Sequence, residues 1–528
     1  MAETPELNGG EERGPRPDLY IGLVCPAGTD LTEVKNQLQA QLSVVDYDYK
    51  EIKVSKVIDN LIGVEASQDE YVRVRRLMRA GDALREASEN GEGVASGIVT
   101  AIRSARDAAS GPNTTAYVVD SLKNPAETKL LDQVYGRNYY TISVYLPKDE
   151  RIANLRNKIA KGRHEPPGEV HEKLAKKLIA EDEKGAGRKS QDVRACFPKA
   201  DFFINATGNV SDQVKRFIEL VFGEPFTTPS PDEYYMFLAR ASALRSCDLS
   251  RQVGAVIVDE CGSIVSAGCN EVPYPGGGIY FEGRKGPIGD NRDYKRGHDP
   301  NYIEIQRSLI EMVGVLREAG EIRGNESDEV IVDKLLHGKY RELTSNARIR
   351  NLIEFGRVVH AEMHAITQAA STGRSVLGAT LYCTTYPCHG CARHIISSGI
   401  GEVVFIEPYP KSMTEQLYDD EIEVVHGPTE KTSGSLERVR FRPFQGVAPA
   451  LYQRVFAYRD RKDDDGTIAI WKPKAAEPVG AIYGVERPSV ETAASNIVAT
   501  VLETAKSLYA SKLGDIEDGS GSPVETAA

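Results

Sequence analysis

Short apolar runs separated by amphipathic stretches fill the first part of the chain. The runs at 19–24, 115–122, 140–145 and 201–205 predict buried strands. Amphipathic stretches with helical spacing, beginning at 31–42, lie between them. Strands that alternate with helices along a chain indicate a parallel α/β sheet.

The second part of the chain shows a similar alternation. Apolar residues at helical spacing from residue 232 predict a helix, and two strands follow it at 253–258 and 263–268. Two later strands are predicted at 379–384 and 402–406, each with a neighbouring helix. The insertion 276–350, rich in glycine, aspartate and arginine before it becomes helical, separates the two pairs of strands.

The segment 223–231 contains three prolines and two threonines, which is typical of a linker. Polar ends rich in small residues predict disorder at both termini. The sequence therefore predicts a disordered N-terminus 1–17, a first domain 18–226, a second domain 231–475 with the insertion 276–350, and a C-terminal helix and disordered tail 476–528.

Charge and cysteine content narrow the function classes. A net charge of −12 excludes a protein dominated by non-specific nucleic-acid binding, although a local basic site is compatible with it. Eight irregularly spaced cysteines do not form a disulfide framework, which favours a reducing cytoplasm. The polar N-terminus is unlike a signal peptide, and no run reaches the roughly 18 apolar residues of a membrane helix.

The strongest chemical pattern lies between residues 358 and 391. His360, Cys388 and Cys391 suit three positions of a tetrahedral zinc and leave the fourth for water, the open arrangement of a catalytic site. Glu362, two residues after the histidine, can take up and return the proton of that water. The order H-x-E…P-C-x-x-C is the signature of zinc deaminases, which attack C4 of cytosine or C6 of adenine.

Three other interpretations of these residues are open. A C-x-x-C pair can be a redox motif, but that leaves the upstream His-x-Glu without a role. A closed structural zinc site needs a fourth ligand, for which His364 and His389 are nearby. His360 and His364 have the spacing of zincin ligands but not the H-E-x-x-H order, so His364 is interpreted as a structural helix residue.

The turn after the first strand has the strand–glycine–helix layout of a phosphate-binding loop. On this layout, with Gly28, Thr29 and Asp120 as candidate nucleotide-binding residues, the first half resembles P-loop nucleoside and nucleotide kinases. After Gly28 the chain reads Thr29-Asp30 where the kinase motif has a lysine and then a serine or threonine, so we expect no phosphoryl transfer. A structural domain and a nucleotide-sensing, regulatory domain are both compatible with this pattern. The basic run 151–189 is either a solvated face or a site for RNA or a nucleoside triphosphate.

The residues 232–412 resemble the deoxycytidylate deaminase family. The resemblance rests on the matching segments 250–255, 268–270, 360–362 and 387–392. It implies a cytidine deaminase-like α/β/α domain with a mixed sheet, after the P-loop kinase-like parallel sheet domain. It also implies zinc bound by His360, Cys388 and Cys391, Glu362 as proton shuttle, Asn270 on the sugar 3′-hydroxyl, and Arg251 and Gln252 near the sugar and phosphates.

The whole chain resembles the bacterial anti-phage dCTP deaminases, through the turn 28–31 and the stretch 407–412. This resemblance implies deamination of dCTP and dCMP that starves phage replication, a homo-oligomer such as a hexamer, and an inhibitory small antitoxin RNA. The alternatives are a polynucleotide cytosine or adenine deaminase, a dCMP deaminase of nucleotide salvage without a defence role, and a non-catalytic module with a structural metal. A polynucleotide enzyme requires a basic groove with stacking aromatics, which the acidic balance does not favour.

Overall fold

The computed structural model describes residues 16–108, 114–185, 187, 189–284, 289–344, 347–407, 413–426, 438–481 and 487–514. The chain divides into two compact units. Unit 1 contains the described residues up to Pro229, His426, and those from Gln445 onward. Unit 2 contains the described residues from Ser230 to Val425 and those from 438 to 444.

Among the described residues, unit 1 contains five strands and nine α-helices before the linker, and one short strand and two α-helices from the C-terminal part of the chain. The elements before the linker are β1 Leu19–Val24, α1 Thr32–Val44, β2 Asp48–Lys53, α2 Val54–Ile62, α3 Glu70–Ala87, α4 Gly93–Asp107, β3 Thr115–Leu122, α5 Pro125–Tyr135, β4 Tyr139–Tyr145, α6 Lys148–Arg163, α7 Glu169–Glu183, α8 Val193–Cys196, β5 Phe202–Asn205 and α9 Val210–Val221.

Among the described residues, unit 2 contains six strands and its own helices. In chain order they are α10 Pro231–Ala243, β6 Gly254–Val258, β7 Ile264–Cys269, α11 Asp293–Arg296, α12 Pro300–Glu318, α13 Asp328–Leu336, α14 Arg341–Thr344, α15 Ala361–Ser371, β8 Thr380–Cys383, α16 His389–Ser397, β9 Glu402–Phe405, α17 Thr414–Leu417, β10 Ile422–Val424 and β11 Val439–Pro443. The chain then returns to unit 1 with β12 Gly446–Val447, α18 Pro449–Val455 and α19 Arg487–Lys512.

The sheet of unit 1 has the order β12-β5-β4-β1-β3-β2. The predicted strands β1, β3, β4 and β5 are confirmed and run parallel. The expectation of a wholly parallel sheet is wrong, because β12 pairs antiparallel with β5. Fully buried residues of the central strands, such as Leu19, Ile21 and Ile142, pack against Leu38 and Phe217 of the flanking helices and form the core.

The C-terminal part of the chain departs from the predicted domain boundary. The sequence assigns everything up to 475 to the second domain, whereas residues from Gln445 onward lie in unit 1. The physical reason is local to unit 1: β12 extends the edge at β5, and α19 packs on α3 and α4. The C-terminal helix predicted within 476–528 is α19, which continues to Lys512.

The sheet of unit 2 has the order β10-β11-β9-β8-β6-β7 and is mixed, as the family resemblance implies. The strands β8, β9, β11 and β10 run parallel, and β6 runs antiparallel to both β8 and β7. Helix α15 lies directly on β7, since a Cβ on Gly268 would stand 2.2 Å from the carbonyl oxygen of Ala361. This close approach fixes the beginning of α15 over the sheet.

The predicted disorder at 1–15 and 515–528 and the stretch 408–412 lie outside the described residues. The insertion is helical as expected and contains α11 to α14. In the described part of the chain, no helix combines the length and the apolar character that crossing a bilayer requires.

Candidate active site

The three predicted zinc ligands meet at one point of unit 2. The Nδ1 atom of His360 lies 3.4 Å from the sulfur of Cys388 and 3.4 Å from the sulfur of Cys391. All three ligand atoms lie within 4.8 Å of one another. Among the histidine, cysteine and acidic side chains of the described residues, these three form the group that can hold a metal ion.

The geometry of this group fits zinc. Tetrahedral bonds of about 2.0 Å to nitrogen and 2.3 Å to sulfur separate the two ligand atoms by roughly 3.5 Å, close to the observed spacing. One imidazole and two thiols are also the donor types that zinc prefers. Three protein ligands leave the fourth tetrahedral position for a small molecule.

All three ligands stand at the N-termini of two helices. His360 is the residue that precedes α15, Cys388 precedes α16, and Cys391 lies in the first turn of α16. The positive end of a helix stabilises a thiolate. A hydrogen bond from Cys391 lowers the pKa of Cys388 and raises the pKa of Cys391. The hydrogen bond with Cys388 raises the pKa of His360 to about 9, and a bound cation would displace that proton.

Glu362 lies beside the ligand group, in the first turn of α15, and only 3% of it is exposed. Burial raises the pKa of this carboxyl group, while the nearby His360 opposes the shift. A raised pKa makes the carboxylate a better proton acceptor than an exposed one, which suits a group that takes up and returns a proton. The structure therefore brings together the four residues that the H-x-E and P-C-x-x-C patterns single out.

His364 has a structural position, as the sequence predicts. Its Nδ1 accepts a hydrogen bond from the backbone N–H of Cys269, 3.2 Å away, and the residue is buried. This contact ties α15 to the end of β7 and does not leave Nδ1 available for a fourth metal bond.

The predicted substrate residues lie at the same edge of the sheet, but two of them are engaged with backbone groups. The amide of Asn270 accepts from Val253 N at 2.7 Å and donates to Arg251 O at 2.8 Å. The Gln252 amide donates to Ser246 O at 2.8 Å. The guanidinium of Arg251 is the partly exposed group of the three, with 44% of its side chain exposed.

Sequence reasoning missed two neighbours of Arg251. Thr385 Oγ1 and Glu407 Oε2 each lie 3.3 Å from Nη1 of Arg251. Thr385 also donates to Glu407 at 2.8 Å. The available signal was positional, since each residue follows a short buried strand at its carboxyl end, where ligand sites of parallel sheets lie.

In unit 1, the glycine turn after β1 is occupied by groups of the chain itself. The N–H of Ala27 donates to Asp182 at 2.6 Å, and Asn154 donates to the carbonyl of Gly28 at 3.0 Å. The N–H of Thr29 donates to the carbonyl of Pro26 at 3.2 Å. A carboxylate therefore stands where a phosphate-binding loop would offer its N–H groups.

Two further predictions about unit 1 have structural outcomes. Asp120 pairs with Lys35 at 2.9 Å, and the same ammonium also pairs with Glu51 at 2.8 Å. Arg151, at the start of the basic run, does not lie on a solvated face: it is buried and donates to Leu146 O and Glu183.

The α/β fold of unit 2 and the His-Cys-Cys group with its buried glutamate define a zinc-binding hydrolytic deaminase. The family model "Cytidine and deoxycytidylate deaminase zinc-binding region" matches residues 229–407. The chain is 32% identical to the deoxycytidylate deaminase of Enterobacteria phage T2 over 166 residues, 31% of this chain and 72% of the phage protein. The chain therefore belongs to the deoxycytidylate deaminase family.

Other relatives match over shorter shares of their length. The deoxycytidylate deaminase of phage T4 is 48% identical over 54 residues, 10% of this chain and 28% of that protein. That of Saccharomyces cerevisiae is 29% identical over 187 residues, 35% of this chain and 40% of the yeast protein. A solved dCMP deaminase of cyanophage S-TIM5 with dCMP and dUMP aligns with 41% of this chain and 98% of its own at 18% identity, with a TM-score of 0.22.

Proposed function

We propose that this protein deaminates free deoxycytidine nucleotides, converting dCMP, dCTP or both to the uracil nucleotide and ammonia. The observation that carries the proposal is the position of Glu362 beside His360, Cys388 and Cys391, in a segment that aligns with deoxycytidylate deaminases. A zinc ion at these three ligands supplies Lewis acidity that activates a water molecule.

Glu362 is the proton carrier in this proposal. Its carboxylate accepts a proton from the attacking water and delivers it to N3 of cytosine, and it then returns a proton to the leaving ammonia. Its burial supports this role, because a carboxylate with a raised pKa accepts a proton from water more readily than an exposed carboxylate and holds it until it is transferred. Water adds and ammonia leaves, so no further reactant is required.

The test is a substrate panel. Purified protein is incubated with dCMP, dCTP, CTP and single-stranded DNA, and ammonia and uracil products are measured. We expect turnover of dCMP or dCTP and none of the strand. Turnover of single-stranded DNA alone would replace this proposal by the polynucleotide deaminase.

We also propose a physiological role, the depletion of dCTP during phage infection, carried out by a homo-oligomer under control of an inhibitory RNA. The support is the resemblance of the whole chain to anti-phage dCTP deaminases. The test compares dCTP pools and phage yield in infected cells that express the wild-type chain or the Glu362→Gln variant. Equal dCTP pools in the two cultures would contradict the defence role and favour an enzyme of nucleotide salvage.

For unit 1 we propose a regulatory role without phosphoryl transfer. One support is the carboxylate of Asp182 at the glycine turn. The other is the sequence Thr29-Asp30 after Gly28, where a kinase loop has a lysine and then a serine or threonine. Phosphorylation assays with ATP and nucleosides should give no product with the full chain. Deaminase rates should respond to added nucleotides or RNA, and a rate that none of them changes would favour a purely structural unit.

A further inference from the structure

The side chain of Arg251 is fixed by residues from two other segments at one edge of the unit 2 sheet. We propose that Thr385 and Glu407 are positioning residues that hold Arg251 for the substrate phosphate, and so select nucleotides over nucleosides. The inference rests on the proposed function and names the part of the substrate that this edge recognises.

The sheet topology explains why these residues meet. Thr385 follows β8 and Glu407 follows β9, and these two strands are parallel, so both residues lie at the same edge. Because β6 runs antiparallel to β8, the residues that precede it, including Arg251, lie at that edge as well. Cys388 follows Thr385 by three positions, which places the zinc ligands next to the group.

The contacts restrain one side of the guanidinium and leave the other accessible. Nη1 lies 3.3 Å from Thr385 Oγ1 and 3.3 Å from Glu407 Oε2. Among the described residues, no hydrogen bond reaches Nε or Nη2. The Arg251 side chain as a whole is 44% exposed, so the guanidinium is not enclosed by the protein. A guanidinium with two free donors matches the oxygens of a phosphate.

The two partners are themselves fixed. Only 9% of the Glu407 side chain is exposed, and Thr385 donates to its Oε2 at 2.8 Å. The backbone of Arg251 is held too, because Asn270 accepts from Val253 N and donates to the Arg251 carbonyl. Holding the arginine before the substrate arrives reduces the entropy that phosphate binding costs.

The experiment measures one ratio: kcat/KM for the better of dCMP and dCTP, divided by kcat/KM for deoxycytidine, which has no phosphate. The variants are Arg251→Ala, Thr385→Val and Glu407→Gln, each checked for zinc content. We expect the ratio to fall about 10- to 100-fold for Arg251→Ala, the loss of a hydrogen-bonded charge. For Thr385→Val and Glu407→Gln we expect a fall of about 3- to 10-fold, mostly through the KM of the nucleotide.

Two controls separate positioning from a general loss of structure. Thr385→Ser keeps the hydroxyl and should restore most of the ratio. The guanidinium of Arg374 donates to the carbonyls of Ile264 and Val265 at the beginning of β7, which lies at the opposite edge of the sheet. The Arg374→Ala variant should therefore leave the ratio unchanged.

Two outcomes overturn the inference. One is an equal loss for nucleotide and nucleoside in Thr385→Val and Glu407→Gln, which marks a structural role. The other is an unchanged ratio in Arg251→Ala. Calorimetric binding of dCMP and deoxycytidine to the Glu362→Gln variant, alone and combined with Thr385→Val, gives the same ratio without turnover. A wild-type protein that deaminates none of these substrates would instead contradict the proposed function, while the binding ratio would still decide the role of Arg251.

Discussion

At the scale of the residue, the three candidate zinc ligands are interdependent, because two protein ligands hold zinc poorly. We expect about one zinc per chain in the wild-type protein, one ion for the three-ligand site formed by His360, Cys388 and Cys391. Cys388→Ser and Cys391→Ser should each lose most of it, measured by elemental analysis. Cys261→Ser, which changes an exposed cysteine in the turn between β6 and β7, is the matched control and should keep the metal. Full occupancy in both ligand variants would show that the metal site is elsewhere.

Glu362 should affect turnover but not the metal. In Glu362→Gln the side chain keeps its size and loses the ability to exchange a proton, so kcat should fall by ~10²–10⁴-fold. Zinc content and the far-UV circular dichroism spectrum should match the wild type. A kcat close to that of the wild type would assign the proton transfers to another group.

At the scale of the element, Arg442 of β11 connects three segments of unit 2. Its guanidinium donates to both oxygens of Asp232 in α10, at 2.6 and 2.9 Å, and to Glu402 of β9 at 3.2 to 3.3 Å. These side chains are at most 21% exposed, so the ion pairs are poorly screened by solvent. Removing the arginine takes the cation away from Asp232 and leaves Glu402 with only the longer pair to Arg440 at 3.8 Å.

The Arg442→Ala substitution should therefore destabilise this part of unit 2 by about 3 kcal/mol. Hydrogen–deuterium exchange of peptides that cover β9 and β11 measures the loss without requiring the chain to unfold in one step. Arg307→Ala, which removes a surface pair with Glu304 at 65% and 40% exposure, is the control and should cost under about 1 kcal/mol. Similar exchange in the two variants would contradict the buried network.

At the scale of the whole molecule, unit 1 needs the C-terminal helix α19. Ala494, Val498, Ala505 and Tyr509 of this helix are buried. Ser96 of α4 donates to the carbonyl of Ala494 at 2.5 Å and accepts from the N–H of Val498 at 2.8 Å. Without α19, the apolar surface of α3 and α4 would face water.

A chain that ends at residue 481 should therefore unfold at a lower temperature and aggregate more readily, while its zinc content stays the same. The control ends at residue 514, which keeps all of α19. Light scattering during a thermal ramp measures both properties. Identical curves for the two truncated chains would show that α19 adds no stability.

The sequence by itself determined the elements and residues whose signals are local. Strands β1, β3, β4 and β6 to β9 are apolar runs, because they are buried in the middle of a sheet or under a helix. The zinc ligands and Glu362 were identified from spacings within a few residues at two helix beginnings. The polar edge strand β2, which has the sequence Asp-Tyr-Lys-Glu-Ile-Lys, and the two-residue β12 gave no such signal.

Only the tertiary structure decided the contacts between residues far apart in the chain. Arg251 meets Thr385 and Glu407 across 134 and 156 positions, and the return of the chain from β11 to β12 joins the C-terminal part to unit 1. The same holds for Asp182, which meets the N–H of Ala27 across 155 positions. Hydrophobic periodicity specifies which face of an element is buried but not which strands become neighbours, and strand pairing is what brings these residues together.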